Sequence, residues 1–109
     1  MLPKKIPLIE ACNDCAAACN QCAVACLREP DVAEMAQCIA LDMDCAAICT
    51  VAAGAIARGS SDASAICALC ADLCDRCGEE CGRHSAEHCQ ACAQACHRCA
   101  QDCRSIMSF

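Results

Sequence analysis

The sequence predicts an all-α fold: an antiparallel up-down-up-down four-helix bundle with a cysteine-lined core. Three observations predict it. The cysteines recur in steps alternating three and four, the a/d seam of a helix facing other helices. That step pattern occurs four times along the 109 residues, so it is an internal repeat. The breaks between repeats are short, and short connections force neighbouring helices to run antiparallel.

The first helix is expected over residues 7–27. Pro7 suits a first helical turn, where a missing N–H costs nothing. Cys12, Cys15, Cys19, Cys22 and Cys26 then follow as C-x2-C-x3-C-x2-C-x3-C, and Leu27-Arg28-Glu29-Pro30 ends the helix. The second helix is expected over 31–58, with Asp31 and Glu34 spaced as a capping box. Its seam reads Met35, Cys38, Asp42, Cys45, Cys49, so Asp42 holds the slot where a fifth thiol would stand. A hydrogen-bonded polar residue in the lumen is the expectation for it, since a hard carboxylate matches soft ions poorly.

The third helix, 61–82, follows Gly59-Ser60-Ser61, which closes helix two and offers an N-cap. It carries Cys67, Cys70, Cys74, Cys77 and Cys81, and Gly82 ends it. The fourth, 85–107, starts with Ser85 as its cap and carries Cys89, Cys92, Cys96, Cys99 and Cys103. All four belong to one domain spanning 1–109. The residue after the second Cys of each three-step pair is small: Ala16, Ala23, Ala71, Gly78, Ala93 and Ala100, with Ala46 after Cys45. Small residues there let helices approach closely. Gly78 is the telling case, since Gly costs about 1 kcal/mol relative to Ala inside a helix.

Composition narrows the function. Leu, Ile, Val and Phe number only 17, against 18 Cys and 24 Ala, so thiols must fill an interior that large side chains cannot. The seams would line roughly 20 Å of bundle axis, from the helical rise. A net charge of −6 and a pI near 4.8 argue against a nucleic-acid partner, and the scattered Lys and Arg against an anionic membrane surface. The longest apolar stretch, Cys45 to Ala57, has the length of a buried core helix, not of a membrane span. The start, with Ile6-Pro7-Leu8-Ile9 stopped by Glu10, lacks the longer apolar run of an export leader. A cytoplasmic location is therefore expected, where thiols stay reduced and read as metal ligands before they read as disulfides.

Thiolates select Cu(I), and side chains three or four apart on a helix place two sulfurs about one soft ion. Eighteen thiolates with eighteen Cu(I) sum to zero charge. Zinc in four Cys₄ sites would leave −8 in a narrow interior, and uncompensated buried charge is costly. A continuous seam also contains no discrete set of four ligands; it reads as a rack. The iron–sulfur run C-x2-C-x2-C-x3-C-P is absent. Disulfides between i and i+3 on one helix would be strained.

The runs Cys12–Cys26, Cys67–Cys81 and Cys89–Cys103, within four helical repeats from Pro7 to Ile106, resemble the bacterial copper storage proteins. The missing leader makes the chain similar to their cytosolic branch. The resemblance implies a homotetramer of bundles that stores multiple Cu(I) ions, about one per cysteine, on paired thiolates. Helix two departs from the pattern at Asp42.

Antiparallel helices gather Cys26, Met35, Cys38, Cys81 and Cys89 at one end, and Cys12, Cys49, Cys67 and Cys103 at the other. Leu8, Ile9, Ile56, Ile106 and Phe109 read as an apolar plug beyond the second end. Arg83, His84 and His88 lie beyond the first, with Met35 inside the mouth, so copper is expected to be admitted there through imidazole and thioether. His97 stands one residue off the seam and is expected at the surface or a helix interface. No one cysteine is singled out as a nucleophile, and no enzyme activity is expected. The rival functions are a copper chaperone or sensor, a thiol redox buffer working through C-x2-C pairs, and a zinc or iron–sulfur protein.

Overall fold

The computed structural model describes residues 5–106. It contains α1 (Lys5–Leu27), α2 (Ala36–Arg58), α3 (Ala63–Gly82) and α4 (Glu87–Ile106), with a 3-10 turn, Val32–Met35, leading into α2. No strand occurs among the described residues. α1 and α3 each pack against α2 and α4, so α1 faces α3 across the bundle, as α2 faces α4. The result is a rod of 45 × 17 × 17 Å.

The four helices match the four repeats and end at Gly59 and Gly82 as expected, but the N-terminal caps differ from expectation. Asp31 makes no side-chain cap bond; its carbonyl accepts the Glu34 N–H at 2.9 Å, closing a 3-10 turn. The capping box therefore does not form, and α2 starts at Ala36. Gly59 ends α2 in the left-handed region at φ 66°, which a Cβ would disfavour. The Ser60 N–H reaches back to the Ala55 carbonyl at 2.9 Å and satisfies an otherwise orphaned acceptor.

α3 starts two residues later than expected, after Asp62, whose N–H donates to Ser60 Oγ at 3.1 Å. α4 starts at Glu87, with Ala86 in the flanking position instead of Ser85, and the Ala86 carbonyl accepts from Cys89 and Gln90. The Gln90 side chain takes over the fastening of this turn, donating to the carbonyls of Gly82 (3.1 Å) and His84 (2.7 Å).

The core is a column of sulfur sheathed in alanine. All eighteen cysteines are free and buried. Ala16, Ala23, Ala46, Ala71, Ala93 and Ala100 are buried where helices meet. Gly78 has a more specific neighbour: a Cβ there would sit 2.8 Å from Cε1 of the exposed His97 ring, not against backbone. Leu8 and Ile56 are buried in the core at the base of the bundle, and the partly buried Ile9 packs against that core. Phe109 and the side chain of Ile106 lie outside the described residues.

The segment Val32–Arg58, which contains the Cys45–Ala57 stretch, is long and apolar enough by length and composition to cross a membrane. Half of its most apolar window is buried inside the bundle, the mark of a core helix.

Candidate metal centre

The heptad seams place every thiol on the bundle axis, where the four helices interleave them in layers. The middle layer takes one cysteine from each helix. Cys15 Sγ lies 3.8 Å from Cys45, 3.9 Å from Cys74 and 3.7 Å from Cys96, and Cys45 lies 3.4 Å from Cys74. Sulfurs thus touch across the bundle diagonals as well as between neighbours. Towards the base, Cys49 meets Cys70 at 3.7 Å and Cys99 at 3.9 Å, and Cys99 meets Cys12 at 3.8 Å.

These layers correct the reading of the seams as a rack without sets of four. Read along one helix the seam has no such set, but interleaving four helices creates several. Cys12, Cys70, Cys99 and Cys103 form one, with all sulfurs within 4.8 Å of each other. Cys15, Cys49, Cys74 and Cys99 form the next, followed by Cys15, Cys19, Cys45 and Cys96, and then Cys19, Cys77, Cys92 and Cys96. The sets overlap through Cys15, Cys19, Cys96 and Cys99, so neighbouring sets can be filled together only by sharing sulfur.

Asp42 interrupts the column. It is fully buried, and its Oδ1 accepts from the thiols of Cys77 (3.2 Å), Cys81 (3.3 Å) and Cys92 (3.2 Å). Cys38 faces Oδ2 at 3.8 Å. This is the hydrogen-bonded luminal carboxyl expected from the sequence. Burial, with Cys92 and Cys77 alongside, pushes its pKa up to about 10, so the carboxyl holds its proton at neutral pH. Burial likewise raises the thiols of Cys26 and Cys67 and pushes Cys89 up to about 11. A metal ion entering this interior must displace those protons, and thiolate plus cation then replaces thiol.

Above Asp42 lies the mouth. Cys22, Cys26, Cys38 and Cys89 form a further set of four within 4.8 Å, and Cys38 meets Cys81 at 3.1 Å. The His88 ring covers this set. Its Nδ1 lies 3.5 Å from Cys89 Sγ, 3.6 Å from Cys22 and 3.9 Å from Cys26. Its Nε2 lies 2.9 Å from Glu29 Oε1.

A family model described as copper storage protein matches residues 4–108. The chain belongs to the copper storage protein family. The Cu(I)-bound copper storage protein BsCsp3 is 49% identical, with a TM-score of 0.92 over 95% of this chain and 98% of that one. A cytosolic copper storage protein from Streptomyces lividans, solved with five coppers, is 42% identical, with a TM-score of 0.94 over 97% of this chain and 93% of that one. A curated relative, the uncharacterised cysteine-rich protein YhjQ of Bacillus subtilis, is 52% identical over 76 residues, which is 70% of each chain. The family's role, storage, is not a catalytic one.

The family's repeat accounts for the thiols, and the mouth holds what the seams leave over. Met35 is buried at the end of the 3-10 turn. His84 does not reach the thiols as His88 does: its Nε2 pairs with Glu80 Oε2 at 2.8 Å, and Arg83 holds Glu80 Oε1 at 3.0 Å. The carboxylates of Glu29 and Glu80, which meet the two histidines, were not singled out from the sequence. The spacing of Glu80 and His84, four apart across the end of α3, was the available signal for that pair. Glu29 and His88 stand 59 residues apart, and no local pattern links them.

Proposed function

We propose that this chain is a non-enzymatic cytosolic store that holds Cu(I) on the thiolates of its lumen, about one ion per cysteine. The observation that carries this reading is the overlap of the four-sulfur sets. Separate Cys₄ zinc sites need their own ligands and could fill only alternate sets, whereas filling all of them requires sharing Cys15, Cys19, Cys96 and Cys99. Sharing suits bridging thiolates and a soft monovalent ion, which also leaves a filled lumen near neutrality. The Cu(I)-bound and five-copper relatives support the cargo, and the Streptomyces protein, described as cytosolic, supports the compartment.

The ligands in this reading are the eighteen cysteines, with copper admitted at the end that holds His88, His84 and Met35. His88, held by Glu29, faces three thiols at once and so singles out no one cysteine as a nucleophile. Self-association, as a homotetramer, is supported by the outer faces of α1 and α2. Val24, Met43 and Val51 are exposed on these helices, as are Ala17 and Ala47, and together they offer apolar surface to a second copy.

Anaerobic titration of the reduced protein with Cu(I), against a competing chelator of known affinity, tests the store. A tight plateau near one ion per cysteine is expected. A plateau at one or two ions would instead fit a chaperone or sensor.

A further inference from the structure

We propose that Glu29 is a positioning residue for copper uptake: it fixes the His88 tautomer so that the bare Nδ1 faces the outermost thiols. This rests on the reading of the lumen as a copper store. The chain sets up the contact locally. α1 ends at Leu27, and the Arg28 and Glu29 N–H groups fold back onto the carbonyls of Ala25 (3.1 Å) and Cys26 (3.2 Å). Pro30 cannot continue that ladder, and it disfavours helical backbone at the residue before it. Glu29 is thereby held at the mouth, one turn beyond Cys26, while His88 occupies the first turn of α4.

The two side chains meet at 2.9 Å, both partly buried, with 31% of Glu29 and 24% of His88 exposed. An ionised carboxylate only accepts, so the Nε2 facing it must carry the proton. In the neutral ring Nδ1 then keeps its lone pair, and the structure aims that atom at Cys22, Cys26 and Cys89. Metal-binding histidines are oriented in this way when a carboxylate takes the other ring N–H. The opposite tautomer would turn an N–H towards the thiols and offer an arriving cation nothing. His84 cannot substitute, since its contact is with Glu80 and not with sulfur.

The test uses the full-length apo protein with ¹⁵N-labelled histidine at mildly alkaline pH, reading the His88 tautomer by long-range ¹H–¹⁵N correlation. Wild type is expected to show Nε2–H alone, and Glu29→Ala a mixture with Nδ1–H. Cu(I) transferred from a bicinchoninate complex should enter Glu29→Ala about ten-fold more slowly, the low end for loss of an outer partner. The Glu29→Gln amide oxygen accepts the same bond and should restore the tautomer and most of the rate.

Nδ1–H in wild type, a reading that needs no variant to fold, would overturn the proposal. So would an unchanged tautomer and rate in Glu29→Ala, or a failure of Glu29→Gln to rescue. A wild-type plateau of one or two ions would overturn the store itself, and the tautomer spectrum would still report on Glu29.

Discussion

Oδ1 of Asp42 lies 3.2 Å from Sγ of Cys92, on the helix diagonally opposite its own. With Cys77 and Cys81 donating to the same oxygen from α3, one carboxyl ties three helices together at the level where the sulfur column is broken.

Asp42 should make the apo protein less stable as pH rises. Its folded pKa is pushed up to about 10 from 3.8, so between those values the folded chain keeps a proton that the unfolded chain releases. Stability then falls with rising pH, by up to about 1.4 kcal/mol per unit. Asp42→Asn keeps the shape and an acceptor oxygen without the titration. Urea unfolding of the two apo proteins across mildly acid to neutral pH should therefore show a slope in wild type that the variant lacks. Equal slopes would mean that Asp42 is not neutral in the folded lumen.

The two mouth histidines should not be equivalent. His88 presents Nδ1 to three sulfurs, whereas His84 is engaged by Glu80. In stopped-flow uptake, His88→Ala should slow the first ions by about ten-fold or more, and His84→Ala by much less. Total capacity, set by the thiols, should hardly change in either. Equal effects of the two substitutions would contradict the assignment of His88 as the ring that meets copper.

Gly78 and His97 should be coupled. An alanine at 78 gains about 0.8–1 kcal/mol of helix propensity, but its Cβ would meet His97 Cε1 at 2.8 Å unless the exposed ring swings away. Gly78→Ala alone is expected within about 0.5 kcal/mol of wild type. In a His97→Ala background it should stabilise by about 0.5–1 kcal/mol. A double-mutant cycle on apo unfolding measures the difference, and strict additivity would show that the contact does not matter.

What was legible in the sequence was whatever depends on one helix at a time. The steps from Cys12 to Cys26, and their repeats, marked both the helices and the face each buries, because seam position depends only on helical period. The position of Asp42 within a seam was enough to place its carboxyl in the lumen. The N-terminal caps were less legible than the glycine ends at Gly59 and Gly82, because Asp31 and Ser85 have suitable side chains but the chain closes those ends through backbone carbonyls of Asp31 and Ala86. Nor were the four-sulfur sets, which depend on how helices are staggered against one another. The pairing of Glu29 with His88 depends on that stagger too, and on a turn set by Pro30.

The central claim, that copper resides on the luminal thiols, is tested most directly by anomalous scattering from crystals of the fully loaded protein. A column of copper peaks should run between the Cys22, Cys26, Cys38 and Cys89 set at the mouth and the Cys12, Cys70, Cys99 and Cys103 set at the base. Peaks confined to the outer surface, or only one or two within the lumen, would contradict it.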